Sequence, residues 1–338
     1  MARSGTTGAA PAAVGLLMLD ARIIVGNAAD SLAKIDAGSV RTCVTSPPYW
    51  GLRDYGNDGQ LGQEATPQEF VENLCKVFDE VWRVLADDGT VWVNLGDSYF
   101  PHGGSRGNKT PAGDSLRGRE NNYQPAPKLS AGDANLKQKD LVGIPWRFAF
   151  AMQDRGWYLR QDIIWAKPNP MPESVTDRCT KSHEYVFLFS KQPKYFFDSV
   201  SIREPLAESS LGRLAQDVKN QVGSTRANAG AKSNGNMKAL GDPEGGRNKR
   251  SVWNVNVAKY KGAHFAVYPP ALIEPCIKAG SAEGDTVLDP FSGSGTTGEV
   301  ALQNGRNYLG IELNPDYAAL SEKRISDAIG LMGKVLVS

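Results

Sequence analysis

The sequence predicts an α/β protein built on a mostly parallel sheet. Two stretches carry that expectation. Residues 39–97 read strand, helix, strand, and residues 285–325 read strand, glycine-rich turn, helix, strand, helix. Strands that alternate with helices pair in parallel, through right-handed crossovers. The 338 residues give room for one large α/β domain or two smaller ones.

Taken in order, "ARIIVG" (21–26) is a short apolar strand, and "NAADSLAKID" (27–36) carries Ala29, Leu32 and Ala33 at helical spacing. "SVRTCVTS" is a second strand. "TPQEFVENLCKVFDEVWRVL" (66–85) is a helix whose apolar face holds Phe70, Leu74, Val77, Phe78, Val81 and Leu85. Thr66 with Glu69 three residues on forms a capping box, and Pro67 takes the first helical position. Asp88-Gly89 turns into the buried strand "TVWVNLGD". The block 99–139 is rich in Gly, Pro and Asn and cannot build a core, so a flexible loop insertion is expected there. "DLVGIPWRFAFAMQDRG" returns to helix. "WYLRQDIIWA" and "EYVFLFS" read as an antiparallel pair at one edge of the sheet.

Composition bounds the function classes. Lys and Arg number 38 against 37 Asp and Glu, a net charge of +1, so the whole chain has no basic signature for nucleic acid. The distribution is less even: residues 199–263 hold eleven Lys and Arg against five Asp and Glu, which fits either a solvated linker or a surface that meets phosphates. Cys43, Cys75, Cys179 and Cys276 lie far apart, at neither metal nor redox spacing, and read as small buried hydrophobes in a reducing compartment; no metal site is expected. No apolar run reaches membrane-spanning length, and the start "MARSGTTGAAPAAVGLLML" is too weak for a signal peptide. A cytoplasmic location, away from membranes, is the expectation.

The chemistry is expected at two loops. Gly293, Gly295 and Gly298 satisfy G-x-G-x-x-G between a strand and a helix, and Glu312 follows Gly293 by 19 residues at the end of the next strand. That context fits an adenosine cofactor, with the acidic residue on the ribose hydroxyls. Asp289 stands immediately before the turn, where its carboxylate would repel a pyrophosphate but tolerate a cationic amino or sulfonium group. S-adenosylmethionine has both. Only 26 residues follow Glu312, too few for the second nucleotide-binding half of a dehydrogenase, so the rest of the sheet must come from the N-terminal part.

The second loop, "VTSPPYWGLRDYG" (44–56), stops a buried strand with two prolines. Fixed φ angles and missing N–H groups make it a stiff extended loop. Stiff loops at strand ends often carry chemistry, though they can also be punctuation.

With "TSPPYW" near its start and "LDPFSGSGTTG" near its end, the chain resembles the amino-group DNA methyltransferases, in the order of their β (permuted) group. The likeness covers nearly the whole chain, through "GNAADSL", "DDGTVWVNLGDSY", "WYLRQDIIWAKPNPMP", "SHEYVFLFSK", "HFAVYPPALIEPCI" and "YLGIELNPDY". It implies a Rossmann-like S-adenosylmethionine-dependent methyltransferase fold with an antiparallel edge hairpin and a smaller target-recognition region. It also implies five segments. Residues 1–98 form a catalytic half, 99–139 the loop insertion, 140–198 a helix with the edge strands, 199–263 the target-recognition region, and 264–338 the cofactor half. Ser46, Pro47, Pro48 and Tyr49 become the catalytic loop. Asp289, Phe291, Gly293, Gly295 and Thr296 line the cofactor, Glu312 holds its ribose, and Asn27 stands where the family often has Asp near the adenine. Phe265 packs on the cofactor or in the core. Lys167 and Asn169 contact DNA or stabilise their loop. Double-stranded DNA is the implied partner; a homodimer and a cognate restriction endonuclease are left open.

On this reading, the Ser46 hydroxyl and the Pro47 carbonyl accept N–H bonds from an exocyclic amine and align it for attack on the methyl group, while Tyr49 stacks on a base flipped out of the duplex. Ser at the first position of the tetrapeptide favours cytosine N4 in this family, with adenine N6 second. A nicotinamide oxidoreductase on the same glycine turn, or a catalytically silent DNA-binding module, are the competing classes. His183 and His264 read as structural, and Trp50, Trp82 and Trp92 as core, with Trp50 close enough to wall the pocket.

Overall fold

In the computed structural model the described residues are 19–52, 56–57, 59–100, 130, 135–206, 208, 245–257, 268–330 and 333–338. Among the described residues nine strands form one sheet. In chain order they are β1 (Leu19–Val25), β2 (Val40–Thr45), β3 (Leu85–Leu95), β4 (Tyr158–Ala166), β5 (His183–Ser190), β6 (Val252–Asn254), β7 (Thr286–Asp289), β8 (Asn307–Glu312) and β9 (Gly333–Val337). Their spatial order is β6-β4-β5-β3-β2-β7-β8-β1-β9. Every pairing is parallel except those of β5, which runs antiparallel to both β3 and β4. The expected mostly parallel sheet with its antiparallel hairpin is therefore present. One detail differs: β4 is not the edge, because the three-residue β6 pairs along its outer side.

Helices cover both faces. On one lie α1 (Ala28–Leu32), α2 (Pro67–Val84) and α3 (Ile144–Asp154); on the other lie α4 (Pro270–Gly280), α5 (Thr296–Gln303) and α6 (Pro315–Ile329). α2 begins as its sequence predicts: Thr66 Oγ1 accepts from the Glu69 amide, and the Glu69 carboxylate accepts from the Thr66 amide. Its face buries Phe70, Leu74, Phe78 and Val81 completely, each contributing about 1.5–3 kcal/mol. α1 is shorter than its apolar spacing suggests, and α3 starts at Ile144 rather than near Asp140. The start of α3 is set from outside the helix, because the Asp97 carboxylate accepts from the Gly143 and Ile144 amides.

Trp50 and Trp92 are buried and Trp82 is half-buried against Trp157, so all three belong to the core. Cys43, Cys75 and Cys276 are buried as expected, but Cys179 is exposed, lying in the loop between β4 and β5. Four expectations fall on residues outside those described: the N-terminal segment before Leu19, most of the 99–139 insertion, the bulk of 199–263, and the segment with His264 and Phe265. The end of the 199–263 segment does enter the sheet, as β6.

The topology marks where a ligand would bind. From β2 the chain crosses through α2 to β3 on one side, and from β7 it crosses through α5 to β8 on the other. β2 and β7 are neighbours, so the sheet changes direction between them. Loops leaving two such strands diverge and open a crevice at their carboxyl ends. The proline loop leaves β2, and the glycine turn leaves β7.

Candidate active site

A cavity of about 1190 Å³ opens at that crevice. Ser46, Pro47, Pro48 and Tyr49 line it, as do Asn27, Asp289, Phe291, Gly293, Thr296, Glu312 and Lys167. Two loops separated by some 240 residues of sequence therefore share one chamber. Gly295 and Asn169 do not reach it.

The β7 side is organised around Asp289. Its carboxylate accepts from Thr45 Oγ1 (2.6 Å), the Phe291 amide (3.0 Å), the Tyr268 hydroxyl (3.2 Å) and Thr297 Oγ1. Burial pushes this carboxyl above its ordinary value, and the four donors pull in the opposite direction. Glu312 is shaped similarly: its oxygens accept from the Gly293 amide (2.7 Å) and the Asn314 amide (2.9 Å), yet burial again raises it. The glycines have separate duties. Gly293 and Gly295 hold φ of 53° and 80°, the left-handed region that glycine adopts without strain. A Cβ on Gly295 would stand 2.4 Å from Ser321 Oγ, so Gly295 lets α6 approach and does not touch the chamber itself. Asn27 caps α1, its Oδ1 accepting from the Ala29 amide at 2.9 Å, and it faces the cavity from the end of β1.

The β2 side is built by strand register. Thr45 pairs with Val93 in the parallel β2–β3 ladder, so Ser46 comes next to Asn94. Trp165 lies opposite Glu184 across β4–β5, and Asn94 lies opposite Val186 across β3–β5. Residues two apart on a strand share a face, so Lys167, Glu184 and Asn94 converge. The Tyr49 hydroxyl donates to Glu184 Oε2 (2.7 Å), and Asn94 Nδ2 donates to the same oxygen (3.2 Å) and to the Tyr185 carbonyl (3.1 Å). The Lys167 ammonium pairs with Glu184 Oε1 and sits 4.3 Å above the Trp165 ring centre. Ser46 Oγ donates to Asn94 Oδ1 at 3.4 Å. Gly96 has a steric duty: a Cβ there would come 2.5 Å from the Tyr49 ring. Nearby, Lys181 donates to the Asp97 carbonyl (2.8 Å), and burial lowers the basicity of its ammonium.

Asn169 is instead an exposed clamp, its amide exchanging two hydrogen bonds with the Val257 backbone. His183 lies half-buried at the cavity wall, edge-on to Tyr185. Asn94, Glu184, Tyr268 and Thr297 are the site residues that motif reading does not single out. A signal exists for two of them, as polar residues at the chamber-side ends of otherwise apolar strands, in "VWVNL" and "HEYVFLF".

A family model described as DNA methylase matches residues 40–323. The chain belongs to that family. It is 45% identical over 310 residues to the type II methyltransferase M.XycI of Xanthomonas campestris pv. cyanopsidis, covering 92% of this chain and 89% of that protein. It is 44% identical to M.SmaI of Serratia marcescens, with 90% of each chain covered. Among solved structures, PvuII DNA methyltransferase (cytosine-N4-specific) superposes with a TM-score of 0.58 at 19% identity, covering 96% of this chain and 98% of that one. The putative DNA modification methylase TTHA0409 of Thermus thermophilus, complexed with S-adenosyl-L-methionine, gives 0.55 at 23%, covering 94% and 99%. These two likenesses establish the fold. As a DNA methylase, the protein transfers a methyl group to DNA, with S-adenosylmethionine as donor.

The chamber suits that donor chemically. Asp289 offers buried negative charge to a cation, and Glu312 offers lone pairs to vicinal hydroxyls. Among the described residues no helix is long and apolar enough to cross a membrane, and no group of three His, Cys, Asp or Glu could hold a metal ion.

Proposed function

We propose that the protein methylates the exocyclic N4 amine of cytosine in double-stranded DNA, after flipping the base into the chamber. One observation supports this most directly: the Ser46 loop and the Asp289–Gly293 loop leave adjacent strands and face one cavity. S-adenosylmethionine, when bound, supplies an electrophilic methyl group. Asp289, Phe291, Gly293, Thr296 and Glu312 hold it on the β7 side, with Asn27 closing the adenine end.

An exocyclic amine is a poor nucleophile because its lone pair is delocalised into the ring. The Ser46 hydroxyl and the Pro47 carbonyl accept its N–H bonds, draw the nitrogen toward sp³ geometry and aim its lone pair across the cavity. Prolines 47 and 48 keep that carbonyl in place. Tyr49, fixed by Gly96 beneath its ring and Glu184 at its hydroxyl, offers a face for the flipped base. Ser46 at the head of the tetrapeptide favours cytosine over adenine. Residues 199–263, with their excess of positive charge, are assigned to target recognition, and Lys167 to the base side of the chamber. The type II designation of the relatives favours a cognate restriction endonuclease as partner.

The test is product identity. DNA methylated by the purified protein is digested to nucleosides and resolved by mass spectrometry. N4-methylcytosine is expected; N6-methyladenine alone would overturn the cytosine reading.

A further inference from the structure

We infer that Glu184, acting through Asn94, is a positioning residue that fixes the Ser46 hydroxyl as a hydrogen-bond acceptor toward the target amine. The inference rests on the role proposed for Ser46, and it explains how a serine can fill that role at all.

A serine hydroxyl has one donor and two acceptor sites, and it rotates freely unless held. If its proton pointed at the target nitrogen, it would bind the very lone pair that must attack. The proton therefore needs another acceptor. Asn94 Oδ1 is placed for this, beside Ser46 in the β2–β3 register and 3.4 Å from Oγ. An amide can present either its oxygen or its NH2 at such a point, so something must decide which. Two acceptors decide it. Asn94 Nδ2 faces Glu184 Oε2 at 3.2 Å and the Tyr185 carbonyl at 3.1 Å, and neither can donate. Turning the amide over would set its oxygen against both.

Glu184 is itself held on every side. Lys167 pairs with Oε1, and the Tyr49 hydroxyl gives its proton to Oε2 at 2.7 Å, closer than its 3.3 Å approach to Asn94 Oδ1. Asn94 Oδ1 is thereby left for Ser46. The ion pair is largely enclosed, with side-chain exposures of 14% for Glu184 and 17% for Lys167, so water competes weakly for these bonds. The order of control runs from Lys167 to Glu184 to Asn94 to Ser46, from just past β4 through β5 and β3 to the loop after β2.

The test is a two-residue exchange that keeps every side-chain volume. Glu184→Gln gives position 184 an amide that can donate and lets Asn94 turn over. Single-turnover methyl transfer should fall roughly 10²-fold, the scale set by a misplaced reacting group, while KM for S-adenosylmethionine and the DNA dissociation constant stay within about two-fold. Asn94→Asp alone should also slow transfer, because two carboxylates then face each other. The double variant Asn94→Asp/Glu184→Gln restores the match with position 184, leaving the carboxylate against the Tyr185 carbonyl as in Asn94→Asp alone: the new amide donates to the new carboxylate, and that carboxylate accepts from Ser46. It should recover to within about ten-fold of the parent rate.

A parent-like rate in Glu184→Gln would overturn the inference. So would a double variant that folds, binds S-adenosylmethionine normally and transfers no faster than either single. Because cytosine and adenine amines both donate N–H, the exchange remains decisive even if product analysis assigns adenine as the base.

Discussion

The two sides of the chamber are made in different ways. The β7 side is mostly local: Asp289, Phe291, Gly293, Thr296 and Glu312 fall within 24 consecutive residues, and backbone amides orient Glu312, while Asp289 takes one amide and three hydroxyls. The β2 side is assembled from four elements. Tyr49 reaches Glu184 across 135 positions of sequence, and every bond from Ser46 to Lys167 runs between side chains. A mostly local site tolerates change elsewhere in the fold, except at Thr45 and Tyr268, whose hydroxyls reach Asp289 from outside the turn. A dispersed site depends on strand register, and a side chain lost from it disturbs its neighbours more than the turn opposite.

The largest expected effect divides the two sides cleanly. Ser46→Ala removes one acceptor proposed for the target amine without entering the Asp289 loop. By analogy with loss of one preorganised hydrogen bond to a reacting group, single-turnover methyl transfer should drop about 10²–10³-fold. Titration calorimetry should find S-adenosylmethionine affinity unchanged within about two-fold. A comparable loss in cofactor affinity would show that the two sides are coupled, and the contrast between them would fail.

A second effect belongs to the β7 side alone. Burial raises both Asp289 and Glu312 above their unfolded values. In the window between the unfolded and folded values the native state holds more protons than the unfolded chain, so stability falls as pH rises through it. A cationic cofactor group beside Asp289 favours its ionised form and lowers its value. Binding should therefore release protons in that window, above the ordinary carboxylate value, and affinity should rise with pH there. Calorimetry in two buffers of different ionisation enthalpy reads this directly. Asp289→Asn should diminish the proton release and cost about 1–3 kcal/mol of stability, because the amide turns an NH2 group toward a buried donor. Proton release that Asp289→Asn leaves unaltered would move the origin away from this carboxylate.

The same contrast explains how far the sequence can be read. Thr66 and Glu69 announce the start of α2 because a capping box is local, and G-x-G-x-x-G with Glu312 announces the glycine turn after β7 for the same reason. The start of α3 escapes local pattern because its cap, Asp97, lies 46 residues upstream of Gly143. β6 escapes it because three residues in a polar, basic stretch have no periodicity to detect, and they become a strand only by pairing with β4. In the chamber, the proline loop that lines it is legible in the sequence, but its supports are not. That Asn94 and Glu184 meet depends on β5 lying between β3 and β4 in one particular register, and no local pattern specifies register across 90 residues. Gly96 shows the same limit, its meaning residing in the ring of Tyr49 above it.

The smallest expected effect falls on the residue that the two kinds of construction share. Asn27 stands where the family resemblance leads one to expect Asp, and the structure gives it a local role. Its Oδ1 accepts from the Ala29 amide and more weakly from that of Asp30, ending β1 and starting α1. Asp fills that role equally well, so capping alone does not separate the two residues. Asn27→Ala should cost about 1 kcal/mol through the lost cap, a fall in Tm of roughly 2–4 °C, whereas Asn27→Asp should leave Tm unchanged. Cofactor affinity then isolates the second role. Asn27 also faces the chamber, and its NH2 group is the part that Asp lacks. If that group meets the adenine end of the donor, Asn27→Asp changes affinity with no change in Tm. If capping is its whole purpose, Asn27→Asp leaves both untouched, and the adenine end of the chamber is formed without it.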